Sequence, residues 1–461
     1  MSGSDTWVQL AYLVAATCFI VALKGLSAPR TARTGNLLGA AGAVLAVTVA
    51  LVSEDLDHLP LIIAAMAIGV AVGVPAARRV PMTGMPQLVA MFNGVGGGAA
   101  AAVAFVEFLR SGDDDPVAVV LATVFSVVVG CVSLTGSLVT FAKLQELMTT
   151  RPVVFPGGRF VSAGVAAVTV GLGLAVAPTR SEGLLAAVAV AGLASGVLFV
   201  LPVGGADVPV VISLLNAFTG LTVAASGYVL DSTLLIVAGT LVGAAGTVLT
   251  RLMAAAMGRS IASILFGAFT TVSTAGTTGS ATSTRPVRSG GPEDVAILLA
   301  YARRVVIIPG YGLAVAQAQH TVKELADVLM ARGVRVMYGV HAVAGRMPGH
   351  MNVLLAEARV PYSQLEEMDQ ANSDMPATDV ALVVGANDVV NPSARTETGS
   401  PIFGMPIIDA DAARNVVFLK RSMRPGFAGI DNPLLYDPKT TMLFGDAKDS
   451  LAKLVAAVKA L

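Results

Sequence analysis

The stretch RRVVIIPGYGLAVAQAQH, residues 303–320, sets a β-branched apolar run against a glycine turn and then a run of helical character. This is the layout of a dinucleotide-binding turn. Gly310 directly follows the strand, Gly312 stands where backbone is to approach a pyrophosphate, and the next helix would present free N–H groups to phosphate. The third glycine position of the pattern holds Val315. Such a pattern is weak alone and gains from the strand before it and the helix after it. About 20 residues on, where an acid would take a ribose 2′-hydroxyl, YGVHAVAGR (338–346) has none, which disfavours NAD. A 2′-phosphate needs cations instead, and FLKRSMRPGFAGI (418–430) offers Lys420, Arg421 and Arg424 after a strand-like run. A solvated surface would read the same way.

Working outward from that turn, β-branched runs recur at 304–309, 334–340, 380–386, 405–410 and 415–420, and a helical stretch at 313–332 separates the first two. The alternation predicts a Rossmann-like parallel sheet covered by helices over 293–461.

The preceding 250 or so residues belong to another solvent. Hydrophobic residues make up 55% of the 461 and charged residues 13%, most of the charge lying after position 285. Segments free of Asp, Glu, Lys and Arg fall at 7–23, 36–52, 59–77, 85–106, 117–142, 160–177, 183–202, 208–229 and 233–250. At about 1.5 Å rise per residue each can cross a hydrocarbon core of about 30 Å, which predicts about nine transmembrane helices. With the N-terminus outside, the inner loops collect Lys24, Arg30, Arg33, Arg78, Arg79, Lys143, Arg151, Arg159, Arg251 and Arg259, and the outer loops only Arg110 and Arg180. That asymmetry, with acidic clusters at 54–58 and 113–115 outside, places the C-terminal domain in the cytoplasm. No cleavable leader is expected before the first span. Zero net charge without basic blocks argues against nucleic acid as a partner, and Cys18 and Cys131 alone allow neither a disulfide framework nor a Cys-based metal site.

Residues 253–292 change character. SIASILFGAF (260–269) is too short to span and suits an interfacial helix, and the Ser/Thr/Gly-rich run after it suits a flexible linker between a membrane domain at 1–252 and the nucleotide domain at 293–461. Inside the spans, Gly94 and Gly98 are four apart and allow close helix approach. Asn93 and Asn216 each put an amide in an apolar span, as interhelical glue or as part of a wet proton or ion path. Asp207 and Arg259 fall on the same expected side, where membrane-surface charges commonly serve as anchors.

The motifs PGYGLAVAQAQ, HAVAGRMPGHMNVLLAEARVPY, GANDVVNP, KRSMRPGFAGIDNPL and MLFGDAK, with ADVPVVISLLNAFTGLTVAASGYVL and MGRSIASILFGAF upstream, together resemble the beta subunit of the proton-translocating, Re/Si-specific NAD(P) transhydrogenases over essentially the whole chain. The resemblance implies reversible hydride transfer between NAD(H) on a partner and NADP(H) on this chain, coupled to inward proton movement. It implies alpha subunits carrying the NAD(H)-binding domain and the remaining membrane helices, a dimer of the complete alpha–beta unit, and the lipid bilayer of the cell inner membrane as its setting.

Residue by residue, Gly310, Tyr311, Gly312, Ala314 and Val315 match the family's nucleotide loop. Val343, Gly345 and Arg346 match the phosphate-side loop, and Gly385, Asn387 and Asp388 the GAND turn, whose acid links proton state to nucleotide binding. Lys420, Arg421 and Ser422 match the 2′-phosphate site; Gly426, Phe427 and Gly429 match the lid, with Phe427 where some relatives have Tyr. Gly445, Asp446 and Ala447 match the MLFGDAK turn. Asn216 matches a polar membrane residue tied to the family's proton path, Asp207 and Arg259 are candidate catalytic charges beside it, and Asn93 stands where some relatives have His, so no titrating imidazole is available there. Hydride exchange between NADH and NADP⁺ is close to thermoneutral, and coupling to a proton gradient is what would drive it toward NADPH. Two other readings fit parts of the sequence: a transporter or channel with an NADP(H)-sensing domain, and a membrane-anchored reductase with a soluble donor.

Overall fold

A computed structural model describes residues 3–26, 29–53, 58–110, 115–145, 147–149, 152–204, 207–256, 260–266, 286–345, 349–398, 400, 402–426 and 428–461. Nine helices among them are long and apolar enough to cross a membrane. They are α1 (Gly3–Leu26), α2 (Pro29–Ser53), α3 (Leu59–Arg79), α4 (Met85–Arg110), α5 (Val117–Leu144), α6 (Gly158–Thr179), α7 (Glu182–Val200), α8 (Val208–Val229) and α9 (Thr233–Ala256). The chain divides into two compact units, Met1–Val80 with Gln87–Val203 and Val210–Thr250, and Pro81–Pro86 with Gly204–Pro209 and Arg251–Leu461.

Small residues set how the spans pack. A Cβ on Gly97 would fall 2.9 Å from the Cβ of Ser133, and one on Gly130 would fall 2.5 Å from Gly97 O, so α4 and α5 meet backbone to backbone. Gly94 and Gly98 lie on the same contact, against Ser137 and Leu134. Helix ends are satisfied locally. Ser181 caps α7, accepting from Leu184 N at 3.4 Å. At the other end of α7, Lys143 Nζ donates to the carbonyls of Val200, Leu201 and Val203 at 3.0, 2.7 and 2.7 Å. The charge pattern counts Lys143 among the loop cations; it is instead wholly buried in the last turn of α5, because carbonyls left without helical partners, at the negative end of the helix dipole, offer an ammonium a ready seat.

After α10 (Ile261–Phe266), the α/β unit runs α11 (Pro292–Ala300), β1 (Arg304–Pro309), α12 (Tyr311–Val315), α13 (Gln319–Ala331), β2 (Arg335–Val340), α14 (His350–Glu357), β3 (Leu365–Glu367), α15 (Met368–Asp374), β4 (Val380–Val384), α16 (Ser393–Thr396), β5 (Asn415–Lys420), β6 (Thr440–Phe444) and α17 (Ala447–Ala460). The six strands are parallel in the order β3-β2-β1-β4-β5-β6, and the order reverses between β1 and β4. Both faces of β1 are covered. Val305 and Ile307 pack with Leu299, Leu325 and Leu451 on one side, and Val306 and Ile308 with Val383, Phe418 and Met442 on the other. Ahead of α11, Ser289 adds a parallel bridge to Met442, with Gly290 N to Met442 O at 3.0 Å and Met442 N to Arg288 O at 2.8 Å.

Three expectations change. The helical stretch 313–332 is two helices, broken at Gln317, which takes φ +49°. Residues 405–410 form no strand: Pro406 O faces His341 Nε2 at 2.8 Å, Asn372 Nδ2 donates to Ile407 O and Asn372 Oδ1 accepts from Asp409 N, both at 2.9 Å. Side chains, with the Val389 carbonyl accepting from Ile408 N at 2.9 Å, satisfy that backbone in place of a ladder, and Ile407 and Ile408 are buried. Strands β3 and β6 are additional to those read from the sequence.

Candidate functional site

At the reversal point the turns after β1 and β4 interlock. Gly310 N donates to Val384 O and Gly312 N to Gly385 O, both at 2.9 Å, and a Cβ on Gly312 would sit 2.7 Å from Gly385 Cα. Gly385 itself takes φ +66°, which favours glycine. The expectation that the first helical N–H groups are free for phosphate is therefore only partly met: Gly312 N is committed to Gly385, and Leu313 N to Gly310 O at 3.1 Å.

Beside this contact lies a cavity of about 300 Å³, whose walls include Gly312 and Val315 from the first turn, Gly385 to Asn387 from the second, Lys420 to Ser422 after β5, Pro425 and Gly426, and Gly445 and Ala447 after β6. Lys420 Nζ donates to Asn387 Oδ1 at 3.0 Å and to Arg424 O at 2.9 Å. Burial pulls its pKa below the usual lysine range, opposed by the nearby carboxylates of Asp388 and Asp431. Arg421 pairs with Asp446 at 2.7 Å. Asp446 also accepts from Lys448 N at 3.0 Å as the cap of α17, and this backbone hydrogen bond chiefly holds its carboxyl below the ordinary range. The set suits a phosphate monoester: one N–H of Lys420 beyond the two committed, an exposed guanidinium, and the Ser422 hydroxyl. Tyr311 and Ala314 stand in the one-turn helix that closes the first turn.

The segment expected to form a lid adjoins one wall through Gly426. Asp388 Oδ2 accepts from Ala428 N at 2.9 Å, and Gly429, at φ +74°, returns its N–H to Gly426 O at 3.0 Å. Phe427 and Arg346 lie outside the described residues, as do Arg259, residues 54–57 and 267–285. In the loop after β2, Val343 N donates to His341 Nδ1 at 3.2 Å, and Gly345 at φ +99° packs against the His350 ring. His341 is buried, which lowers its pKa, and the accepting Nδ1 leaves Nε2 to donate to Pro406 O. The sequence shows His341 and Asn432 only as members of longer motifs, with nothing to mark the contact by which Asn432 ties Asn387 O to this wall at 3.1 Å.

In the membrane unit Asn93 Nδ2 reaches Ser137 Oγ at 3.0 Å and Ser133 Oγ at 3.3 Å, and Ser133 Oγ meets Thr219 Oγ1 at 2.5 Å and Leu215 O at 3.2 Å. Three helices thus share one polar cluster. Its hydroxyls were visible in VSLTGSLVTF (132–141), whose Ser and Thr interrupt an apolar run. Asn216, one turn from Thr219, is half-buried and has no hydrogen-bond partner among the described residues. Asp207 is buried immediately before α8.

Fold and site together define a polytopic membrane protein with a Rossmann-type domain and a cation-lined cavity at its switch point. A family model described as NAD(P) transhydrogenase beta subunit matches residues 8–457. Two curated proteins named NAD(P) transhydrogenase subunit beta, one from Rhodospirillum rubrum and one from a named strain of that species, are each 44% identical over 455 residues, covering 97% of this chain and 98% of theirs. The chain belongs to the NAD(P) transhydrogenase beta subunit family. Membership implies an oxidoreductase role, an alpha subunit as partner, and use of NADP(H) and NAD(H).

Proposed function

We propose that this chain binds NADP(H) in the cavity beside Gly312 and Lys420 and exchanges hydride reversibly with NAD(H) held by an alpha subunit, coupled to proton translocation and normally yielding NADPH. The observation that carries this reading is the placement of Lys420, Arg421 and Ser422 at one edge of the switch-point cavity, in a chain of this family. Lys420 and Arg421 would hold the 2′-phosphate and the Gly310–Gly312 turn the pyrophosphate. The lid at 426–429, drawn down by Asp388, would retain the nucleotide and keep water out. The nicotinamide supplies the hydride chemistry, and the protein supplies position.

Residues 1–252 form the proton-translocating domain, 253–292 the amphipathic and linker segment, and 293–461 the NADP(H)-binding domain. The N-terminus faces outward and the C-terminal domain the cytoplasm, in the cell inner membrane, within a dimer of alpha–beta units. The polar cluster about Asn93, with Asn216, Asp207 and Arg259, belongs to the proton path. Hydride transfer needs the two reacting carbons within about 3–3.5 Å, and a second nucleotide has to be brought by the partner. It would dock near the loop 387–404.

Purified chain with bound NADPH is expected to leave an NAD analogue unreduced until an NAD-binding alpha subunit is added. Substantial activity from the isolated chain would reject the split site in favour of a stand-alone reductase.

A further inference from the structure

One side chain beside the cavity touches both the residue that holds the lid and the lysine of the cationic edge. Asn387 Nδ2 donates to Asp388 Oδ1 at 3.0 Å, and Asn387 Oδ1 accepts from Lys420 Nζ at 3.0 Å. These partners fix the orientation of the amide, because a carboxylate requires a donor and an ammonium an acceptor. The backbone behind it is pinned as well. Asn432, 1% exposed, gives its Nδ2 to Asn387 O and its Oδ1 to Leu434 N, at 3.1 and 3.0 Å. Beyond Asn387, Asp388 reaches the lid segment through Ala428 N, and Lys420 reaches the turn leading into it through Arg424 O. Gly426 closes the arrangement: a Cβ there would lie 2.5 Å from Asp388 Oδ1 and 2.7 Å from Asn387 Nδ2.

We propose that Asn387 is a positioning residue that ties the Asp388 carboxylate to the Lys420 ammonium, so that the group holding the lid also sets where Lys420 aims at a 2′-phosphate. This rests on the reading of the cavity given above. A lysine has three N–H groups on a flexible four-carbon stem. Two of those of Lys420 are committed, to Asn387 and Arg424, which leaves the third with a defined direction. Without the Asn387 acceptor only Arg424 O would restrain the ammonium, and the ordering of the stem would fall on the nucleotide at the moment of binding. Asn387 therefore acts on the 2′-phosphate in particular, whereas a residue needed only for folding would act on NADPH and NADH alike.

The test is titration of NADPH and NADH into the full-length chain in detergent micelles, for the natural sequence, Asn387→Ala, Asp388→Ala and the double variant. The natural chain should prefer NADPH; no preference would overturn the reading of the cavity itself. Given that preference, Asn387→Ala should reduce it about tenfold while NADH affinity stays within about threefold. In the Asp388→Ala background the same substitution should reduce the preference by less than about threefold, since the carboxylate that orients the amide is gone. Equal losses for both nucleotides, or reductions that multiply in the double variant, would overturn the role of Asn387. Should Asn387→Ala fail to fold, Asn387→Ser decides the matter on the same criteria, because its hydroxyl keeps a polar group in place and is too short to bridge both partners.

Discussion

The carboxylate of Asp446 lies 2.7 Å from Nη2 of Arg421, so the cation next to Lys420 already has an anionic partner. Both side chains are solvent-accessible, and such pairs are worth about 0–1 kcal/mol, little enough for a phosphate dianion to displace. Lys420→Ala with Arg421→Ala should cost NADP(H) binding about 3 kcal/mol or more, two orders of magnitude, and barely touch NAD(H). Calorimetric titration of both nucleotides measures this, and matched losses would remove the 2′-phosphate assignment.

Of the two span asparagines, Asn216 has no side-chain hydrogen-bond partner among the described residues, whereas Asn93 is enclosed by hydroxyls. Asn216→Leu should leave NADPH affinity of the chain unchanged and suppress proton-coupled turnover of the complex with its alpha subunit. Proton pumping at the natural rate in reconstituted vesicles would mean that Asn216 serves packing alone.

His341 should make the chain acid-sensitive. Its pKa in the fold lies below the unperturbed 6.5, chiefly through burial, so below that value the unfolded chain binds a proton that the folded chain resists. Its contribution to stability is thus level above about pH 6.5 and falls as pH drops, by up to about 1.4 kcal/mol per unit. His341→Gln should flatten the fall in unfolding midpoint between pH 7.5 and 5.5, and an unchanged fall would assign the sensitivity elsewhere.

Single cysteines at His58 and Tyr301, in a chain whose Cys18 and Cys131 have been replaced, test the orientation. The first should react with an impermeant maleimide from outside intact cells, the second, on an 83% exposed side chain, only after permeabilisation. External labelling at 301 would invert the topology.

The elements legible in the sequence were those that solvent dictates. Nine apolar helices followed from charge-free length, and β1, β2, β4 and β5 from β-branched runs bounded by Gly, Pro and Asp. The run MPIIDA misled because its Ile residues are buried while Asn372, His341 and the Val389 carbonyl satisfy its backbone. Strand β3, three residues reading LEE, and β6, opening on two threonines, carry too little apolar signal to stand out. At the site, residue types announced the cations and the glycine turns. The link from Asp388 through Asn387 to Lys420 was illegible, because it joins positions 33 apart whose approach depends on β4 and β5 being neighbours. Lys143 was misread for a similar reason: its three carbonyl partners lie some 60 residues downstream.

The bridge from Ser289 to Met442 bears on mechanics. Because the incoming chain runs parallel to β6, tension directed along it would load the two hydrogen bonds at Gly290 and Arg288 together, in shear, instead of peeling them one after the other. The strand that takes this load continues within three residues into Gly445 and Asp446, the turn that holds Arg421. A pull on the chain ahead of Arg288 therefore has a stiff route to the rim of the switch-point cavity.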